Sequence, residues 1–360
     1  MAKIKRIAII APPVTTVPPI GQGGLETILT YKIEALIKMG HELHLYGAGK
    51  TSIRQVKFHQ IFEKSLSELE IDPVATEASR KIRLESSYIV QVILDLLKNQ
   101  KDFDVVYNHT RATELAFAPL LEKFRVPIFN IFHLPILPVH AEILNKTPQL
   151  LAISISDDQR ADYPQLENFV ATVHNGIDPD KYPLIENKED FLLWVGTIGY
   201  HKNPLDALKV AKNLNQKIIL MGKIRDNDYF EKYIKPRING KNVVYLGELD
   251  YRKKISYFQK AKVALFPTKI REACPVTPLE LTMCGTPVVA YPAGGTKELI
   301  KNGVNGFLTN NVVEMTEKVR EAYLLDRKKC HLYAKENFSS ETMAKNYLEV
   351  YERYINETSN

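Results

Sequence analysis

Glu272 and Glu280 stand eight positions apart in EACPVTPLE, around two prolines and a cysteine. Two carboxylates can work as an acid and a base, or can grip the hydroxyls of a polar ligand. Helix neighbours lie three or four positions apart, so these two cannot share adjacent turns. The spacing predicts Glu272 in a loop and Glu280 about one turn into a helix that begins near Pro275–Thr277. The N–H groups of Val276 and Thr277 at that helix start can hold an anion. The plainer reading makes Glu280 an exposed helical residue and Glu272 a cap.

Three further stretches carry chemistry. In WVGTIGYHKNP (194–204) a strand ends at Gly196, and Lys202 stands just before a helix start with Asn203 as cap and Pro204 as first helical residue. A lysine there adds a point charge to an anion site; the plainer reading is one more surface lysine. GQGG (21–24) puts Gly23 and Gly24 at a helix start, where backbone N–H groups can approach a phosphate; the plainer reading is a flexible cap. Its spacing departs from G-x-G-x-x-G, and the strand ending in LYGAGK lacks the acidic residue that would hold a ribose, which weighs against a nicotinamide enzyme. His133 ends the strand PIFNIFH and can donate a hydrogen bond to a ligand; His109, after DVVYN, reads better as a packed ring.

The elements that must position these groups alternate. Strands are expected at 6–11, 41–47, 103–109, 127–133 and 150–154, with helices at 24–40, 76–99 and near 112–123. After a turn-rich, charged linker (174–189) the pattern restarts. Strands are expected at 190–196, 217–222, 242–247, 263–267 and 287–291, with helices at 203–215, 252–261 and 276–284, and a last helix at 341–356. Strand–helix alternation means a parallel sheet with helices on both faces, here twice over: an α/β chain of two doubly wound, Rossmann-like domains. Ligands of such sheets bind at the carboxyl ends of the strands, where all the candidates lie. Two such domains facing each other leave a central cleft between those ends.

At 360 residues, 45% hydrophobic and 25% charged, the chain is ordinary for a water-soluble protein. No apolar run reaches membrane-spanning length, and the start is not read as a signal peptide. Three cysteines without C-x-x-C spacing read as reduced thiols of a cytoplasmic protein. Residues 1–175 hold 19 Lys/Arg and 19 Asp/Glu; residues 176–360 hold 29 and 23 and so carry the whole excess of +6. That suits an anionic ligand such as a phosphate ester, while no basic run argues for nucleic acid. Arg80, Lys81 and Arg83 beside apolar residues on the helix near 80–98 leave a weak peripheral membrane contact open.

Taken together, EACPVTPLE, CGTPVVAYPAGGTKELI and NGVNGFL, with GQGGLET, GHELHLYG, LLAISISDDQR, VHNGID and VGTIGYHKN, resemble the retaining glycosyltransferases of family 4, which have the GT-B fold. The resemblance covers nearly the whole chain. It implies transfer of a sugar from a nucleotide diphosphate sugar to an acceptor, here unidentified (a glycan, lipid or small molecule), with retention and without metal or cofactor. It implies an acceptor-side domain (1–175), a nucleotide-sugar domain (176–340) and a helix (341–360) crossing back to the first. By the same resemblance Glu280 binds the donor ribose, Glu272 the donor sugar beside the reacting carbon, Val276 and Thr277 the diphosphate through their amides, and Lys202 a phosphate. His133 lines the reaction centre, Gly23 and Gly24 close over the phosphates and acceptor, and Gly196 opens the lysine loop. The departing phosphate itself can then take the acceptor proton, so the two glutamates hold the donor rather than forming an acid–base pair.

Two positions depart from the family pattern. Thr197 stands where an arginine is usual, so that one cation at the diphosphate is missing or is supplied by His201, Arg271 or Lys269. Pro275 stands where glycine is usual and removes one N–H. These departures keep two other readings open: a non-catalytic binding or scaffold subunit, and a nucleotide-sugar epimerase on the same fold.

Overall fold

A computed structural model describes residues 4–358 apart from 22, 70–74, 112 and 186, and the side chains of 75–78. The chain divides into two compact units, Met1–Gly176 with Ser340–Asn360, and Ile177–Ser339.

The first unit runs β1 (Arg6–Ile10), α1 (Gly24–Lys38), β2 (Glu42–Ala48), β3 (Val56–Phe62), α2 (Ala75–Asn99), β4 (Val105–Asn108), β5 (Ile128–Phe132), α3 (Pro138–Lys146), β6 (Leu151–Ser154), α4 (Asp157–Arg160) and β7 (Phe169–Thr172). Its seven strands are all parallel, in the order β3-β2-β1-β4-β5-β6-β7. The helix expected near 112–123 is not one: turns lead into a 3-10 helix at Ala118–Lys123. Pro119, at its start, has no N–H for an i−4 bond, so an α-helix cannot run through it.

The second unit runs β8 (Leu192–Val195), α5 (Pro204–Asn213), β9 (Ile218–Met221), α6 (Asn227–Tyr229), β10 (Val243–Tyr245), α7 (Tyr251–Lys260), β11 (Val263–Phe266), α8 (Val276–Met283), β12 (Val288–Ala290), α9 (Thr296–Leu299), β13 (Gly306–Leu308), α10 (Val312–Ala322) and α11 (Arg327–Phe338). Six parallel strands lie in the order β10-β9-β8-β11-β12-β13. The last helix, α12 (Ser340–Thr358), belongs to the first unit and packs on α1; there the Tyr107 hydroxyl donates to the Tyr347 carbonyl at 2.8 Å.

Central strands such as LLWV of β8 and VALF of β11 are continuous apolar runs because helices cover both faces of the sheet. Trp194, Leu265, Val263 and Leu192 form one core with Ala207, Val210 and Ala211 of α5. Each leucine or valine among them, fully buried, stabilises the fold by about 1.5–3 kcal/mol. That rigidity fixes the strand ends from which the site loops leave. No helix among the described residues is long and apolar enough to cross a membrane.

Candidate active site

In each sheet the chain order reverses at one point, between β8 and β11 in the second unit and between β1 and β4 in the first. At such a switch the loops leaving the two strands diverge and open a crevice. The candidate residues cluster at these two places.

In the second unit the loop after β8 carries Lys202 and the loop after β11 carries Glu272. Lys202 Nζ donates to Glu272 Oε1 at 2.5 Å, with the side chains 17% and 25% exposed. The loops are tied to one another around this pair. Asn203 sits in the left-handed region (φ 50°), and its Nδ2 donates to the Pro267 carbonyl at 3.2 Å and to Asp206 Oδ2 at 2.7 Å. Asn203 therefore occupies the cap position of α5 with no side-chain cap bond, and its carbonyl accepts from the Asp206 N–H at 3.3 Å. Thr268 Oγ1 donates to the His201 carbonyl at 3.1 Å, and Trp194 Nε1 to the Lys202 carbonyl at 3.3 Å. A side chain at Gly196 would press on the Trp194 ring and on Lys202 Cγ, at 3.3 and 3.4 Å.

Glu272 is held from behind. The Gly295 N–H donates to its carbonyl at 2.8 Å. Gly294 has φ +62°, and a Cβ there would lie 2.3 Å from the Glu272 carbonyl oxygen and 2.7 Å from its nitrogen. The paired glycines of AGGTKE thus let one backbone segment lie against another.

Helix α8 starts at Val276 with Pro275 as N-cap and no side-chain cap. The Val276 and Thr277 N–H groups have no intrahelical acceptor, and Pro278 contributes no N–H. Glu280, on the same helix, is 6% exposed. Its Oε1 accepts from the Tyr182 hydroxyl at 2.7 Å and from Lys254 Nζ at 2.8 Å. It is thus neither an exposed helical residue nor part of the Lys202–Glu272 pair.

The position of Thr197 also has a structural answer. Its hydroxyl bonds His201 Nε2 at 2.9 Å. Burial, then the charges of Arg225 and Lys202, push His201 below its ordinary value, so it is a neutral ring rather than a cation. Lys269 Nζ lies 3.9 Å from Asp206 Oδ2. A groove of about 810 Å³ beside His201 is lined by Arg225, Asp226, Asn227, Asp228 and Ile270.

In the first unit Gly23 is the N-cap of α1. A Cβ there would meet Pro19 Cβ at 2.6 Å and Glu26 Oε2 at 3.0 Å, so packing alone demands glycine; Gly24 has open space around it. Glu26 is fully buried, and Arg111 Nη2 lies 3.3 Å from its Oε1. Burial pushes Glu26 up, against the pull of Arg111.

His109, after β4, and His133, after β5, are bonded: His109 Nδ1 lies 2.9 Å from His133 Nε2. On the other side His109 Nε2 lies 2.9 Å from Lys32 Nζ. Burial, followed by the charges of Arg111 and Lys32, pushes His133 down to about 3 and keeps the half-buried ring neutral.

Sequence reasoning missed Lys32, Tyr182, Lys254 and Gly294. Lys32 had a signal: it stands four residues after Ile28 and four before Leu36, inside the apolar stripe of α1. Tyr182 sits in a stretch read as linker, and nothing in its spacing points to Glu280.

Residues 179–338, the body of the second unit, match the family model described as glycosyl transferases group 1. A glycosyltransferase of uncharacterized role from Methanocaldococcus jannaschii is 24% identical over 241 residues, 57% of this chain and 61% of that one. The chain spans about half to three-fifths of the curated relatives that head the comparison. Among solved structures, AviGT4, a glycosyltransferase involved in avilamycin A biosynthesis, is similar with a TM-score of 0.72 and 20% identity, covering 97% of this chain and 98% of its own. Anabaena HepE in complex with UDP-glucose is similar with a TM-score of 0.66 and 16% identity, covering 97% and 100%. Two parallel-sheet, Rossmann-like units in this arrangement of strands define the GT-B fold. Residues 179–338 thus carry the sequence pattern of a glycosyl transferases group 1 domain, and curated relatives of the chain include glycosyltransferases.

Proposed function

We propose that this glycosyltransferase moves a sugar from a nucleotide diphosphate donor with retention at the anomeric carbon, and that it needs no metal. The observation that carries the donor reading is the grouping at the β8/β11 switch of one cation, Lys202, and the start of α8, with Glu272 bonded to the cation. Breaking a sugar–phosphate bond leaves negative charge on the diphosphate. A fixed ammonium and the Val276 and Thr277 amides stabilise that charge as it develops, which is the largest expected contribution to the rate.

Glu272 fits the donor sugar, since a carboxylate beside the reacting carbon can accept from its hydroxyls. Glu280 fits the ribose through Oε2, because the Tyr182 and Lys254 bonds both end on Oε1. In the first unit His133 fits the acceptor side, with Gly24 giving a backbone approach free of side chains. HepE, similar in fold, was solved with UDP-glucose, which makes UDP-sugars the first donors to try.

The test is a thermal-shift screen against uridine, guanosine and adenosine diphosphate sugars with and without EDTA, followed by donor turnover with candidate acceptors. Binding stabilises the folded chain by mass action, by about 2.7 kcal/mol at a hundredfold excess over Kd. A shift with one nucleotide family that survives EDTA, and acceptor-dependent release of the diphosphate with an α-linked product from an α-linked donor, is the expected result. Loss of turnover in EDTA, or an inverted product, overturns the corresponding part.

A further inference from the structure

Lys32 is fully buried on α1, and among the described residues it has no carboxylate partner. Its Nζ faces the rings of Tyr107 at 4.0 Å and Tyr347 at 3.3 Å, and its polar neighbour among the described residues is His109 Nε2 at 2.9 Å. A methionine fills the same volume without burying a polar head, so packing does not explain a lysine here. Burial pushes Lys32 well below its ordinary value, which disfavours the ammonium relative to an amine with a free lone pair. His109 is 2% exposed, and burial pushes it well below its ordinary value. Two steps of 2.9 Å therefore join a fully buried amine to the half-buried ring of His133.

We propose that Lys32 is the terminal proton acceptor for His133, reached through His109. In the receiving state His133 carries its proton on Nε2 and donates to His109 Nδ1. His109 carries its proton on Nε2 and donates to Lys32 Nζ. His133 Nδ1 lies outside this chain of bonds and keeps its lone pair. A hydroxyl that gives its proton to Nδ1 drives the His133 Nε2 proton onto His109 Nδ1, and the His109 Nε2 proton onto Lys32. One O–H and two N–H bonds break and three N–H bonds form. Both rings stay neutral, and the charge ends as an ammonium against the faces of two tyrosines, which favour a cation. The hydroxyl oxygen keeps its electron pair for the bond it forms. The other titratable or charged groups around the chain are Glu26 on α1, Tyr107 on β4, Arg111 just beyond it and Tyr347 on α12. Arg111 keeps a positive charge away from the His133 ring itself.

This gives the acceptor hydroxyl a protein-borne outlet for its proton besides the departing phosphate. That role rests on the reading of His133 as an acceptor-side residue; the relay itself does not. The test is therefore spectroscopic first. Full-length protein carrying ¹⁵N-histidine and ¹³Cε-lysine is titrated by NMR from about pH 6 to about pH 10, as wild type, Lys32→Met and His109→Gln. One lysine is expected to titrate well below the ordinary value of about 10.4 and to vanish from the Lys32→Met spectrum. The His133 ¹⁵N shifts should switch tautomer in step with that lysine, and both variants should abolish the switch. Lys32→Met is expected to fold with equal or higher thermal stability, so loss of the switch is not loss of the fold. In a transfer assay kcat falls about tenfold or more in both variants with donor KM unchanged. A Lys32 that titrates near about 10.4, or His133 shifts that respond to pH alike in wild type and Lys32→Met, overturns the relay. If no donor is ever turned over, the transferase reading fails while the NMR arms still decide the relay.

Discussion

Lys202 Nζ and Glu272 Oε1 lie 2.5 Å apart although their loops leave different strands of the sheet. The pair makes the two charges unequal partners for a ligand. Removing Lys202 leaves a carboxylate facing the incoming diphosphate, whereas removing the Glu272 charge leaves the lysine free to bind it. Lys202→Ala should therefore weaken nucleotide diphosphate binding by about 10- to 100-fold, the range of a charge-assisted bond. Glu272→Gln should bind the free diphosphate as well as wild type or better, yet lose about 100-fold or more in kcat/KM with the sugar donor. Calorimetry with uridine diphosphate and transfer kinetics read the two effects. Equal loss of diphosphate affinity in both variants refutes this division of roles.

Gly294 sets where Glu272 stands. Its φ of +62° disfavours any side chain, and a Cβ would overlap the Glu272 backbone. Gly294→Ala should destabilise the chain by about 1–3 kcal/mol and displace the carboxylate from Lys202. Urea unfolding reads the first effect and kcat/KM the second. An alanine variant with unchanged stability and turnover means that the segment relaxes freely and Gly294 positions nothing.

The Glu280 carboxylate is almost buried, and Tyr182 and Lys254 converge on one of its oxygens. Lys254→Met strands a buried charge and should cost about 3 kcal/mol or more. Tyr182→Phe, which removes only a hydroxyl, should cost about 1–3 kcal/mol. If Glu280 holds the ribose, Glu280→Gln weakens uridine diphosphate but leaves pyrophosphate affinity unchanged. A variant in which both ligands weaken in parallel assigns Glu280 to the fold alone.

The two parallel sheets were legible because their central strands are unbroken apolar runs. The strands that were not anticipated, β3, β7 and β13, are all sheet edges. An edge strand is covered on fewer sides, so VKFHQIF alternates polar and apolar residues and is only half-buried, and GFL is too short to register. The positions of Lys202 and Glu272 in the loops after β8 and β11, and of His133 after β5, were legible because each lies beyond an apolar strand. The surroundings of a candidate residue were hidden where its partners lie far along the chain. Glu280 meets Tyr182, 98 positions away, and no local pattern records such a pairing. The mispredicted helix near 112–123 shows local propensity losing to one proline.

Acid should unfold the first unit early, through His109. Its folded value lies well below the ordinary 6.5, so below that pH the unfolded chain takes a proton that the folded chain refuses. The His109 contribution to stability is therefore fully present above about pH 6.5 and falls as the pH drops, by about 1.4 kcal/mol for each unit below it until the folded ring itself protonates. Glu26 and Glu114 act in the opposite sense, since burial raises both above 4.5 and the folded chain then takes their protons first, which offsets part of the loss close to that pH. Urea unfolding at about pH 7.5 and about pH 5.5 measures the net slope, and His109→Phe should remove about 1.4 kcal/mol of the difference between them. A variant that keeps the wild-type slope shows that His109 takes up its proton in the folded chain as readily as in the unfolded one, and that burial does not keep it neutral.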